Sequence, residues 1–283
     1  MAAPISTAGQ LSRGLVLGFI ALVYTFLLFP LCIVVLASFN SGEFLAFPPE
    51  GFSFRWYVSF FRSDAFMGSL GYSIKLAAVC TLCSTLLGTM AALYVVRHAK
   101  RWREYVRLLI LLPLLLPEIL TAIALLFFYY NFDALMRALG LTLLVGIFRD
   151  SSAGLLIGHV LVTLPFTFLG ISSSLYNFDT SLEEAARSLG AGRFTTFRRI
   201  TLPIVKPGII AGALLCFIIS FDLFAISLLL KGVGVATLPI QLFDYVRWDF
   251  DPTAAAVSTV SIVITLVAII LTEKLVGLRA LRF

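Results

Sequence analysis

Six long apolar runs are the feature that most limits what this chain can fold into. A helix of about 20 apolar residues crosses a hydrocarbon core roughly 30 Å thick. Helices are the expected spanning form, because each satisfies its own backbone polar groups where no water is present. The sequence therefore predicts an all-α integral membrane protein with six transmembrane helices. The predicted spans are about Gly14–Phe39, Ser69–Val96, Leu108–Tyr130, Ser152–Tyr176, Ile209–Leu230 and Ala254–Val276.

The composition excludes a water-soluble globular protein. The mean hydropathy is +1.03, and 60% of the residues are hydrophobic while only 13% are charged. So few charges cannot cover a normal polar surface. No Ser/Gly-rich linker or low-complexity tract interrupts the six runs, so we expect residues 1–283 to form a single membrane domain.

The distribution of Lys and Arg predicts the orientation of the spans. Six spans place both ends of the chain on one side. The segments on that side, including the loop 177–208, carry 14 Lys and Arg residues, and the opposite segments carry 6. Because positively charged loops stay in the cytoplasm, both termini and this loop are expected to be cytoplasmic. The basic residues flank apolar spans instead of forming a stripe, so no nucleic-acid partner is expected.

A short helix is predicted inside the loop 177–208. Thr180 or Ser181 can cap its start, acidic residues occupy its first turn, and Gly190 can end it. Ala185, Ala186 and Leu189 then form a small apolar face at helical spacing. The residues alone leave two alternatives open, a helix that enters a groove of a partner protein and an interfacial helix that only joins two spans.

The spacing of this loop carries a resemblance to a known family. Glu184-Ala185-Ala186 is followed after three residues by Gly190, after nine more by Ile200, and then by Leu202-Pro203. This pattern resembles the cytoplasmic signature of permease subunits of binding-protein-dependent ABC importers. Further segments resemble the second permease of the spermidine/putrescine-type branch. They are Ser38–Ser41, Leu116–Ile119, Gly158–Val160, Leu164–Phe166, Ser220–Asp222 and Thr237–Pro239.

The resemblance implies a type I importer permease fold in the bacterial inner membrane, surrounded by lipid. It implies that a coupling helix docks in a cleft of a cytoplasmic ATPase dimer through Glu184, Ala185, Ala186, Leu189 and Gly190. A second permease and an extracytoplasmic substrate-binding protein would complete the complex. The sequence has no Gly-x-x-x-x-Gly-Lys-Ser/Thr loop for nucleotide phosphates. We therefore expect a non-catalytic subunit without a cofactor, with ATP and Mg bound by the partner ATPase.

Three charged residues inside the predicted spans are candidates for the substrate pathway, namely Lys75, Glu118 and Asp222. A bare charge is costly in lipid, so each should face the bundle interior, a water-filled cavity or a partner. At 1.5 Å per residue, Glu118 is expected near the midplane, and Asp222 and Lys75 in the outer half. One alternative is that Lys75 and Asp222 pair as a structural clasp. The other is that Asp222 and Glu118 guide an ammonium group, which suits a polyamine.

The substrate class is left with two alternatives. Polyamine-type permeases usually carry two adjacent acids where this chain has Asp222-Leu223. A zwitterionic or phosphonate-type amine is therefore the alternative to a polyamine.

Tyr245, Trp248 and Asp249 lie in a predicted outer loop. These residues suit either an outer gate or docking surface for the binding protein, or an ordinary interfacial belt.

A hydrolase and a redox site are two further interpretations of residues inside the predicted spans. An intramembrane hydrolase is a remote alternative, because Ser172 and His159 lie on one predicted helix roughly 20 Å apart and cannot form a nucleophile and base pair. His159 is instead expected to be a hydrogen-bonded packing residue. Cys80 and Cys83 have redox spacing, but they lie within an apolar span and are expected to be packing residues.

Overall fold

The computed structural model of the chain describes residues 7–99, 101–232, 234, 236–249 and 251–276. Within these ranges the architecture is helical, and the only β-type pairing is an isolated bridge between Asn40 and Phe52. A 3-10 turn (Thr142–Leu144) and a π-helical turn (Phe197–Thr201) accompany the helices. The α-helices are α1 (Thr7–Ala37), α2 (Arg55–Arg62), α3 (Asp64–Arg97), α4 (Arg103–Leu115), α5 (Glu118–Ala138), α6 (Ser152–Tyr176), α7 (Ser181–Ser188), α8 (Arg193–Thr196), α9 (Leu202–Asp222), α10 (Phe224–Leu230), α11 (Leu238–Trp248) and α12 (Thr253–Val276).

Six helical segments of the described chain are long and apolar enough to cross a membrane. The prediction of an all-α protein with six spans is confirmed. The segments are Arg13–Ala37, Asp64–Arg97, Glu118–Ala138, Ser152–Tyr176, Arg193–Asp222 and Thr253–Lys274.

The third predicted span, Leu108–Tyr130, is wrong as a single helix. Helix α4 ends at Leu115 and α5 begins at Glu118. Leu116 is extended, with φ −94° and ψ 140°, as expected for a residue before proline. Pro117 has no N–H to continue the helical bonding. The apolar run therefore contains two helices, and Glu118 lies at the start of the second one.

The fifth predicted span, Ile209–Leu230, is also divided. Helix α9 ends at Asp222, and α10 begins at Phe224. The residue between them, Leu223, is not helical, with φ −68° and ψ 97°. Toward its other end, the helical segment extends back through the π-turn to Arg193. A hydropathy pattern records only that the run is apolar on average, so it does not distinguish one helix from two.

The described residues divide into two compact units, one within 7–64 and 244–263 and the other within 65–243 and 264–276. The prediction of a single membrane domain stays a prediction.

In the first unit, buried Asn40 holds the loop that follows α1. Its Oδ1 accepts from the N–H groups of Gly42 and Glu50, and its backbone oxygen accepts from Trp56 Nε1 at 2.7 Å.

Helix α6 is the central helix of the second unit. Of its apolar window, 56% is buried within the chain, against at most 33% for any other candidate span. Helices α4, α5, α9 and α10 pack against it, and Thr163 and Thr167 bond to Ser84 of α3. One apolar cluster joins Leu155 and Val162 to α5 and α10. A second cluster joins Phe168, Ile171 and Leu175 of α6 to α3 and α9.

Glycines bring α6 and α9 into backbone contact. A Cβ on Gly208 would lie 2.4 Å from the carbonyl oxygen of Gly170, and a Cβ on Gly212 would lie 2.9 Å from Thr167 Cα. The residue numbers fall on one helix as they rise on the other, so the two helices are antiparallel. Small residues allow such close approach between membrane helices, where van der Waals packing drives association. The two helices therefore form a tightly packed hairpin, the α6–α9 hairpin.

Adding one methyl group should separate this hairpin. Gly208→Ala places its Cβ 2.2 Å from Ser174 Oγ as well as against the Gly170 backbone, so we expect it to lower the free energy of unfolding by about 1–3 kcal/mol. Gly71→Ala is the matched control, because nothing lies within 4 Å of its Cβ, and alanine there should be neutral or stabilising by up to about 1 kcal/mol. Thermal unfolding in detergent measures both. Equal stability of the two variants would contradict the close packing.

Candidate functional site

Helix α7 forms where the sequence predicts a helix in the loop 177–208. Its start is held by Asp179, whose Oδ1 accepts from the N–H of Ser181 at 2.9 Å. This bond holds the pKa of Asp179 below its ordinary value. The expected cap from Thr180 or Ser181 is wrong, since Thr180 occupies the cap position without a side-chain bond. Gly190 ends the segment as expected, with a φ of +85° that favours glycine.

The outward face of α7 is uncovered within this chain. Leu189 is 90% exposed, Glu184 and Ala185 are exposed, and Ala186 is half-buried. Together with Gly190 these residues form one continuous surface, here called the coupling surface. The structure thus places the predicted docking residues on α7 and directly after its end.

The opposite face of α7 is attached to the membrane helices by Glu183. This carboxylate is 5% exposed. Arg97 Nη2 at the end of α3 lies 2.6 Å from one of its oxygens, and Arg187 Nη2 lies 3.4 Å from the other. Thr201 of the π-turn donates its hydroxyl to the same carboxylate. These four residues form what we call the Glu183 latch.

Sequence reasoning missed the latch. Glu183 was interpreted only as an acid in the first turn of a helix, which it is. Its spacing of four residues from Arg187 is a local signal for one of the ion pairs. Arg97 lies 86 positions away in the sequence, so no local pattern could indicate it.

The charge state of Glu183 follows from its neighbours. Burial alone would raise the pKa of this carboxyl, but the hydrogen bond from Thr201 and the Arg97 guanidinium outweigh burial and lower it. A pKa lowered by folding means that the stabilisation is fully present above the unfolded pKa. It is lost only as the pH falls through the folded pKa. The latch is therefore closed at neutral pH.

A cavity of about 680 Å³ lies beside the latch. Its charged lining includes Arg97, Arg187 and Arg193 as well as Glu183 and Glu184. The adjoining end of α3 is itself fixed, because Arg103 Nη2 donates to the Val96 carbonyl at 2.6 Å. Glu184 belongs to both the coupling surface and the lining of this cavity, so the two features adjoin each other.

The three predicted pathway residues lie at separate positions and are all exposed within the chain. Glu118 is the first residue of α5, Asp222 is the last residue of α9, and Lys75 lies within α3. Among the described residues, none of the three takes part in an ion pair or a side-chain hydrogen bond. Lys75 and Asp222 therefore do not form the clasp that was one of the alternatives. The carboxylate of Asp222 is left open at the break between α9 and α10.

Tyr245, Trp248 and Asp249, which the sequence predicts to be outer residues, lie together around the end of α11. The Tyr245 hydroxyl donates to Asp251 Oδ2 at 2.8 Å, and burial raises the pKa of Tyr245 to about 12, so this donor stays protonated at neutral pH. Trp248 is 88% exposed, and Asp249 is exposed as well. Tyr245 thus ties the end of α11 to the residues before α12, while Trp248 is available for contact outside the chain.

His159 is a buried, hydrogen-bonded residue, as predicted. Its two ring nitrogens lie 2.9 Å from the hydroxyls of Ser220 and Ser227. Both nitrogens are therefore used, and Ser172 lies on the same helix α6, so the hydrolase alternative has no nucleophile and base pair. In the part of the chain that the structure describes, no group of three metal-ligating side chains exists, and Cys80 is buried beside Thr163.

Removing the charge of Glu183 should loosen α7. Glu183→Gln loses both ion pairs and leaves two arginines behind, and since Arg97 is partly exposed we expect local stability to fall by about 1–3 kcal/mol. Amide hydrogen exchange of residues 181–190 should accelerate accordingly. Glu104→Gln is the matched control, because Glu104 is exposed and lies 4.0 Å from Arg107. Unchanged exchange in Glu183→Gln would contradict the latch.

Comparison with known proteins identifies the family of the chain. The family described as "Binding-protein-dependent transport system inner membrane component" matches residues 84–277. The spermidine/putrescine transport system permease protein PotC of Escherichia coli K12 is 31% identical, covering 94% of both chains. The putrescine transport system permease protein PotI of the same strain is 36% identical, covering 83% of this chain and 81% of PotI.

A solved structure supports the same fold. A chain of a bacterial ABC transporter involved in the import of the acidic polysaccharide alginate has a TM-score of 0.73 at 18% identity, covering 94% of this chain and 96% of that chain. The resemblance found in the sequence is therefore confirmed. The chain belongs to the family of binding-protein-dependent transport system inner membrane components, and it is a non-catalytic permease subunit of an ABC importer.

Proposed function

We propose that this permease forms one half of the translocation pathway for an amine-bearing solute of the polyamine class. The observation that carries the proposal is the Asp222 carboxylate, which is exposed and has no partner among the described residues. It lies at a break in a membrane-spanning segment, and broken helices are common at substrate sites of transporters. An ammonium group is the natural partner for such a charge. Relatives named as spermidine/putrescine and putrescine permeases favour this substrate class over a phosphonate-type amine.

Glu118 is proposed as a second contact in the same pathway. It opens α5 immediately after the Leu116-Pro117 break, and its carboxylate is exposed within the chain. A polyamine carries more than one ammonium group, so two separated carboxylates suit it better than one. Lys75 is proposed to face the pathway without pairing with Asp222.

The proposed assembly contains a second permease, an ATPase dimer and an extracytoplasmic binding protein. The alginate transporter was solved in complex with a periplasmic protein loaded with an alginate pentasaccharide, which supports a binding protein here. Trp248 and Asp249 are proposed to contact it, with Tyr245 holding that segment in place. ATP and Mg are proposed to bind the ATPase alone. The excess of Lys and Arg on the α7 side supports cytoplasmic termini and a cytoplasmic α7.

The coupling surface is proposed to dock in a cleft of the ATPase. Leu189 and Ala185 would enter the cleft, and the Glu183 latch would pass the movement to α3 and to the π-turn that leads into α9. The α6–α9 hairpin would then carry this movement to the break at Leu223. The chain thus has a continuous packed route from the docking surface to the proposed substrate contact.

Replacing the Asp222 carboxylate by an amide tests the substrate contact. In the complete importer reconstituted in vesicles, Asp222→Asn should reduce ATP-driven uptake of labelled putrescine at least about 10-fold, because a charge-assisted bond is lost. Assembly with the other subunits should be unchanged. Asp150→Asn is the matched control, since Asp150 is an exposed outer residue at φ 52° where asparagine is tolerated. Normal putrescine uptake by Asp222→Asn would remove Asp222 from the pathway.

A further inference from the structure

The break between α9 and α10 is bridged by one side chain from another helix. His159 of α6 is fully buried, as is Ser227, and Ser220 is only 3% exposed. Nδ1 of the ring lies 2.9 Å from the hydroxyl of Ser220 in α9. Nε2 lies 2.9 Å from the hydroxyl of Ser227 in α10. The imidazole therefore contacts both helices, on either side of Asp222 and Leu223.

The hydrogen-bond directions in this bridge are fixed by its surroundings. The Ser227 hydroxyl donates to the backbone carbonyl of Leu223 at 2.6 Å, so its oxygen can only accept from the ring. Nε2 of His159 must therefore carry the proton. In the neutral ring Nδ1 is then an acceptor, and the Ser220 hydroxyl donates to it. This tautomer satisfies both ring nitrogens.

A further chain of hydrogen bonds connects the bridge to α3. Thr163 donates to the carbonyl of His159 at 2.8 Å, and its oxygen lies 2.8 Å from Ser84 Oγ of α3. All of these groups are buried. A buried hydrogen-bonded network of this kind holds its members more rigidly than separate pairs do. The break is consequently fixed to the centre of the bundle and not only to its own helix.

We propose that His159 is a positioning residue that fixes the direction of Asp222. Leu223 is the single non-helical residue between α9 and α10. Its backbone dihedral angles therefore determine the direction of α10 relative to α9. The His159 bridge removes that freedom by holding Ser220 and Ser227 together. Asp222 lies between them, and its carboxylate is thereby pre-aligned for the substrate. The last step rests on the proposed role of Asp222 as a substrate contact.

Two variants of His159 separate positioning from simple packing. His159→Leu removes both bonds to the serines. His159→Gln keeps one donor and one acceptor, so it should restore much of the bridge. Tyr129→Phe is the matched control, because the buried Tyr129 hydroxyl donates to Gly154 O at 2.8 Å and joins α5 to α6 instead. It keeps the buried ring and loses an interhelical bond that involves neither Ser220 nor Ser227.

Each variant is measured with two readouts in the complete importer. The first is the KM and the maximal rate of putrescine uptake per assembled complex. The second is the alkylation rate of a cysteine introduced by Ala225→Cys, in a background where Cys32 and Cys83 are serine. Ala225 is half-buried just beyond the break, and native Cys80 and Cys216 are buried.

The positioning role gives a distinct pattern. His159→Leu should raise the KM at least about 10-fold and the alkylation rate several-fold, because two buried hydrogen bonds are lost. His159→Gln should lie close to the parent protein in both readouts, and Tyr129→Phe should change neither. Should His159→Leu fail to assemble, the paired substitution Ser220→Ala with Ser227→Ala removes the same bonds and should give the same pattern.

The possible failures are distinguishable. An unchanged alkylation rate in His159→Leu and in the serine pair overturns the bridge. A raised alkylation rate with an unchanged KM overturns the positioning role of His159, and the uptake of Asp222→Asn then decides separately whether Asp222 contacts the substrate. An equal rise in KM for Tyr129→Phe shows a general packing effect and also overturns the positioning role.

Discussion

The backbone contact between α6 and α9 is the interaction on which the rest of the molecule depends. In a membrane, apolar side chains gain little when they exchange contacts with lipid for contacts with each other. Helices therefore associate through close packing and through hydrogen bonds between them. Gly170, Gly208 and Gly212 provide that closeness, and a single added methyl group would overlap a neighbouring backbone atom. Helix α6 becomes the most buried span as a result. The loop that carries α7 joins the two helices at one end of this hairpin.

Polar groups are concentrated at the two ends of the hairpin. At the α7 end, the Glu183 latch joins α7, α3 and the π-turn. At the other end, the His159 bridge joins α6 to both sides of the break at Leu223. Every group in these two networks has a partner, which is what a low-dielectric interior requires. Asp222 and the coupling surface are left open, and the proposed mechanism assigns them to a substrate and to an ATPase.

Much of this architecture could be predicted from the sequence, and the misses have physical causes. Six spans follow from hydropathy, and the coupling surface follows from residue spacing. Pro117 restricts the backbone of the preceding residue, and this effect divides the third apolar run into two helices. Leu223 gives no indication that a helix ends there, because leucine is a common residue within helices.

The missed contacts are those between distant positions. Glu183 and Arg97 meet because the end of α3 lies beside the first turn of α7. The bridge from His159 spans 61 positions to Ser220 and 68 to Ser227. Local patterns report on neighbours three or four residues apart. The sequence predicted that His159 is a buried packing residue. It did not predict the break at Leu223, so it could not predict that His159 bonds to the helices on both sides of that break.

The account rests on the claim that α7 and the α6–α9 hairpin move as one body. Its most direct test is the distance between spin labels at Ser188 in α7 and at Leu215 in α9, both exposed within the chain, in the complete importer. The account predicts the same distance distribution without nucleotide and with ATP trapped, while labels on the ATPase dimer report its closure. A distance that changes as the ATPase closes would contradict the account, because α7 would then move without the hairpin.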